Sequence, residues 1–157
     1  MIVRRPASDR EIGFMALVDF NKVRQLFGES PQTADSDLFR ELFVLVLSRA
    51  TDADAYTHPA EIATVQSVIK EELGTDLSDS EVRTAALSKI YETTPLQKCL
   101  VNAAPKLNME QRRAILRGLV AVMHADDSIS SREAEFFNMV VSALGLSAAD
   151  AAGLIVA

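Results

Sequence analysis

One acidic motif is written twice in this chain, and that repetition restricts the fold more than any other feature. Ala53-Asp54 leads to Glu61, and Ala125-Asp126 leads to Glu133, with seven residues from Asp to Glu in each copy. The copies are offset by 72 positions, and each lies between two stretches whose apolar residues recur at helical spacing. Two helices joined by an acid-lined turn, with the whole arrangement doubled, produce this pattern. A sheet does not, because its apolar residues would recur at every second position.

The correspondence reaches beyond the acids. At the same offset Phe43 pairs with Ile115, Val44 with Leu116, Leu47 with Leu119, Val68 with Val140 and Ile69 with Val141. Each unit then carries a glycine and a Leu-Ser pair, Gly74 with Leu77-Ser78 and Gly145 with Leu146-Ser147, the first unit having Thr75 and Asp76 in addition. Any single apolar pairing arises by chance in helical proteins. Together, with Asp and Glu in register, they indicate an internal repeat over about 37–92 and 108–157.

The pattern predicts an all-α fold of about seven to eight helices, in one domain of two pseudo-symmetric helical units. Residues 1–35 read as an N-terminal extension, with a helix over about 9–27 and a linker containing Pro31. Ile12, Ala16, Phe20, Val23 and Phe27 form the stripe of that helix, although Gly13 to Phe20 also fits a short buried strand. Residues 36–157 form the main domain. Its first helix, about 37–50, presents Phe39, Phe43, Val46, Leu47 and Ala50. The second starts at Pro59, a residue suited to a first helical turn, and stops at Gly74. Ser78 and Glu81 have capping-box spacing before a helix reaching about Glu92, and a short helix from Pro95 ends before Pro105. Asn108 opens the next helix, Ser130 with Glu133 the one after, and a last helix follows Ser147.

The chain has 157 residues, of which 48% are apolar, enough for one core without disulfides or a structural metal. With 16 basic and 22 acidic residues the net charge is −6 and the pI about 4.9, so nucleic acid is an unsuitable partner and cations or basic protein surfaces are better matched. Cys99 is the only cysteine, which fits a reducing compartment, and its apolar neighbours mark a buried, inert thiol. The N-terminus lacks the apolar stretch of a signal peptide, and no apolar run approaches the ~18 residues that span a bilayer. A cytoplasmic protein without direct membrane insertion is expected.

Each acidic turn gathers oxygen donors. Asp54, Glu61 and His58 mark the first, and Asp126, Asp127 and Glu133 the second, which also has His124 and the Ser128 hydroxyl. Such sets suit hard divalent cations such as Ca²⁺ or Mg²⁺, and His58 would favour Mn²⁺ or Zn²⁺. The spacing is not that of an EF-hand loop. Capping and the helix dipole also explain a Glu at the third helical position, and local side-chain bonding explains an Asp in a turn. Lys70-Glu71-Glu72 reads as a solvated face, and Met15, Met109, Met123 and Met139 as core fillers. No phosphate loop, nucleophile elbow or His-Glu-x-x-His helix occurs.

The run Ala125-Asp126-Asp127-Ser128-Ile129-Ser130-Ser131-Arg132-Glu133, followed by Leu144-Gly145-Leu146-Ser147, resembles the signature of the tellurite-resistance TerB-like family, approximately Ala-Asp-Gly-x-Ile-Ser-x-x-Glu. The copy at 53–61 is a degenerate form, and the likeness covers roughly 37–157. Asp127 and Ala55 stand where the signature has Gly, and Thr57 and His58 where it has Ile and Ser. The resemblance implies an all-α fold of two helical units with acids near the inter-helix turns. It also implies a bacterial stress-response role with metal binding and membrane-associated protein partners, or a place beside J-domains in co-chaperones. A homodimer is compatible with it. Three readings follow: a non-enzymatic module whose acidic turns weakly hold a divalent cation or face a partner protein, a purely structural helical scaffold or co-chaperone-like interaction module, and a metallohydrolase using the same carboxylates.

Overall fold

A buried helix, apolar nearly all round, organises the molecule. In the computed structural model the described residues are 20, 23, 35–51, 59–86, 95–125 and 129–156. They form seven α-helices: α1 (Asp35–Ala50), α2 (Pro59–Leu73), α3 (Asp79–Ala86), α4 (Leu96–Ala103), α5 (Met109–Met123), α6 (Ser131–Ala143) and α7 (Ala148–Val156), with a 3₁₀ turn at Ala104–Lys106. No strand occurs among the described residues. The all-α expectation holds. The helix starting at Asp79 is described only to Ala86, so its expected continuation to Glu92 lies outside the described residues.

In α1 every residue from Glu41 to Leu47 is buried, where the sequence pattern suggests a single buried face. A helix buried all round needs neighbours on every side, and α1 packs against α2, α3 and α5. Helix α5 is the second hub, packing against α1, α2, α6 and α7, while α4 lies against α6. The two hubs meet closely at Gly118. A Cβ there would come within 3.0 Å of both Leu47 Cδ2 and Phe43 Cζ, so the missing side chain is what lets the axes approach.

Helix ends follow the sequence. Capping boxes close at Ser78/Glu81, Asn108/Gln111, Ser130/Glu133 and Ser147/Asp150. Gly74 and Gly145 both take φ of +68°, the left-handed turn that ends α2 and α6. Each glycine is accompanied by an arginine reaching across from the first helix of the same unit. Arg40 Nη1 donates to the Leu73 carbonyl at 3.2 Å, and Arg112 Nη1 donates to the Leu144 carbonyl at 3.2 Å. A cation suits the negative end of a helix dipole. The two arginines are themselves 72 positions apart.

Two described residues of the N-terminal segment belong to the core. Phe20 and Val23 are fully buried in the same apolar cluster as α1 and α5, and the Val23 N–H donates to Glu41 Oε1 at 3.1 Å. Phe20 sits in a turn with φ of 55°. A left-handed residue is incompatible with one unbroken helix passing through position 20, because an L side chain there crowds the following carbonyl. The remainder of the expected helix 9–27 lies outside the described residues. Met109 also departs from expectation: it is 40% exposed at the start of α5, beside the Arg112 guanidinium. Met123 is buried and Met139 partly so, while Met15 lies outside the described residues. Cys99 is buried, and burial pushes its thiol above the ordinary range, as an inert core cysteine requires.

Candidate functional site

The second acidic turn is built from the end of α5 and the start of α6. His124 closes α5 as its C-cap, its N–H bonded to the Val120 carbonyl at 3.0 Å, and the Ala125 N–H bonds the Val122 carbonyl at 3.2 Å. After the turn, the Ser130 hydroxyl accepts from the Glu133 N–H at 3.1 Å, and Glu133 Oε2 accepts from the Ser130 N–H at 3.0 Å. This reciprocal pair satisfies two orphan donors of the helix start. Glu133 is only 5% exposed, and the α6 dipole favours its carboxylate there.

The first acidic turn places its glutamate in the same register. Glu61 is the third residue of α2, as Glu133 is of α6, and is 3% exposed. Upstream, Ser48 in the last turn of α1 and Thr51 just past its end are buried hydroxyl residues, and Thr51 Oγ1 donates to the Ser48 carbonyl at 2.7 Å. The expected site residues therefore divide. Glu61 and Glu133 occupy equivalent buried positions at the starts of their helices. Asp54, His58, Asp126 and Asp127 lie outside the described residues. Among the described residues, no group of three or more His, Cys, Asp and Glu side chains is disposed to hold a metal ion.

Beside the second turn lies an apolar pocket that the sequence reading missed. Val120, Met123, His124, Ile129 and Phe137 line about 90 Å³ between the end of α5 and the first turns of α6. Ile129 is 47% exposed on its rim. The spacing of Val120, Met123 and Phe137 looks like ordinary core periodicity, so a pattern of apolar residues gave no sign of an opening here. The Arg40 and Arg112 clamps were also missed. Their shared offset with the acidic motif was the signal that could have found them.

The geometry defines a small all-helical module with two equivalent, buried first-turn glutamates. The sequence profile described as tellurite resistance protein TerB matches residues 40–154, well over half of the chain. The chain belongs to the TerB family. Comparison with curated proteins and with solved structures returned no significant match. No helix among the described residues is long and apolar enough to cross a membrane.

Proposed function

We propose that this TerB-family protein is a non-enzymatic, cytoplasmic stress-response module whose acidic turns weakly bind a divalent cation or face a partner protein. The observation that supports it is the placement of Glu133 and Glu61, two withdrawn carboxylates at the same helical position in both units. A buried acid requires compensation, and a single capping bond uses only part of the acceptor capacity of a carboxylate. At the second turn Glu133 commits Oε2 to Ser130. Its other oxygen is a hard donor, and we assign it to one cation set with Asp126 and Asp127, the acids that precede it in the motif, a set suited to Ca²⁺ or Mg²⁺. Asp54, Glu61 and His58 form the corresponding weaker set, with the imidazole favouring Mn²⁺ or Zn²⁺.

The rival reading, a helical scaffold in which these acids serve only as caps, is favoured by the Ser130–Glu133 box itself. Calorimetric titration separates the two. Binding with a dissociation constant on the order of 10⁻⁴–10⁻³ M, as in weak calcium modules, is expected for at least one of Ca²⁺, Mg²⁺, Mn²⁺ and Zn²⁺. Asp126→Asn with Glu133→Gln should abolish it while leaving the fold intact, since Gln still completes a capping box. Binding that survives both substitutions, or no heat with any ion, leaves the scaffold reading standing.

A further inference from the structure

Met109 stands apart from the other described methionines. It is the first residue of α5 and is 40% exposed, whereas Met123 is 8% exposed and Met139 packs against the core. Its thioether lies one helical turn from Arg112, with Sδ 3.9 Å from Arg112 Nη1. That guanidinium is a junction. Nη1 also donates to the Leu144 carbonyl at the end of α6, and Nη2 donates to the Ala104 carbonyl, where the 3₁₀ turn follows α4. The start of α5 and the ends of α4 and α6 thus meet at one side chain. Its Nε–H is buried and has no hydrogen-bond partner among the described residues. A guanidinium carries five N–H donors, and a thioether is a weak acceptor. The junction therefore has donor capacity that the acceptors around it do not use.

We propose that Met109 is a reversible oxidation site, which takes one oxygen atom from a hydroperoxide and has its sulfoxide held by Arg112. The sulfur lone pair attacks the outer peroxide oxygen, and the S–O bond forms as the O–O bond breaks. The proton on the transferred oxygen goes to the departing oxygen, which leaves as an alcohol, or as water when the oxidant is hydrogen peroxide. Sulfur loses two electrons and the peroxide gains them. In a core, such an oxygen lands among apolar neighbours and disrupts packing. At Met109 the outcome reverses, because a strong acceptor replaces a weak one beside a cation, and hydrogen bonds to charged groups are the stronger kind. The unbranched side chain is flexible enough to turn the oxygen toward Nη1. Two thiols reverse the step, giving back the thioether with one disulfide and one water. This chemistry needs neither a cation nor a partner at the acidic turns.

The test is dilute hydrogen peroxide on the full chain, followed by peptide mass mapping and urea unfolding. Met109 should gain its oxygen well before Met123 and Met139. Once it has, the unfolding equilibrium should move toward the folded state by about three- to tenfold, as one added hydrogen bond to a charged group does. Met109→Leu, treated alike, keeps every other oxidisable residue and should show no such gain. Met109→Gln carries a permanent carbonyl acceptor with a helix propensity close to that of Leu, so without any oxidant it should unfold at higher urea than Met109→Leu. The position is 40% exposed, so neither substitution threatens the fold. Methionine sulfoxide reductases with dithiothreitol should return the oxidised chain to its original midpoint. Oxidised wild type that is no more stable than before, relative to treated Met109→Leu, overturns the proposal, because the sulfoxide then has no seat. Oxidation of Met123 ahead of Met109 overturns it too, as does Met109→Gln unfolding no later than Met109→Leu.

Discussion

Glycine shows how far a single residue's effect depends on its surroundings. Gly118 and Gly153 both lie inside helices, where Ala is intrinsically favoured by up to about 1 kcal/mol. At Gly153 an added Cβ meets nothing within 4 Å, so Gly153→Ala should stabilise the protein by about 0.5–1 kcal/mol. At Gly118 the same atom meets Leu47 and Phe43, which are 0% and 1% exposed and have nowhere to retreat. Overpacking a tight core costs about 1–3 kcal/mol, so Gly118→Ala should fall below wild type despite its better helix propensity. Urea midpoints of the two variants check this, and equal stabilisation by both would contradict it. The buried glutamates follow the same rule. Their sequence spacing marked Glu61 and Glu133 as first-turn acids, but their withdrawal from solvent depends on packing against other helices.

Helix boundaries were legible because caps are local chemistry. Ser78 with Glu81, Asn108 with Gln111, and Ser130 with Glu133 satisfy backbone donors within a few residues of themselves, so no distant partner is needed to identify them. The cap of α7 is a fourth box, and Ser147 marked its position although Asp150 drew no notice. Hydrogen bonds from the Ser147 hydroxyl and N–H, then the Arg113 guanidinium at 3.2 Å, hold the Asp150 carboxyl below its ordinary range. A folded-state pKa below the unfolded one means the cap contributes stability above the ordinary carboxylate pKa and loses it as pH falls through the lowered value. Asp150→Ala should therefore melt below wild type at neutral pH, with the gap closing in acid. Melting temperatures across that range would show it, and a gap independent of pH would assign the effect to something other than the charged cap.

At the scale of the whole molecule, Phe20 and Val23 of the N-terminal segment are part of the core. Nothing in its pattern shows this, because amphipathic periodicity reports a buried face without reporting what buries it. Phe20 and Val23 are both fully buried, and Phe20 holds its place with a left-handed backbone that is costly for a bulky residue. Such a conformation persists only when the packing around it determines it. Phe20→Ala should cost about 3–5 kcal/mol in equilibrium unfolding, with the transition remaining single, as for a core aromatic. An unchanged midpoint would mean the segment is an appendage. The apolar pocket belongs to this scale too, since Val120, Met123 and Phe137 are spaced as core residues are and only the way α5 meets α6 leaves a hollow between them.

Sequence alone determined the helical class, the places where helices begin and end, and the two acidic turns in register. Periodicity, caps and left-handed glycines act over a few residues, so their chemistry can be read along the chain. Only the tertiary structure decided that α1 is buried on every side, that Arg40 and Arg112 clamp the ends of α2 and α6, and that a small apolar pocket lies between α5 and α6. Those outcomes depend on which surfaces meet, and residues far apart in the chain settle that by excluding water together.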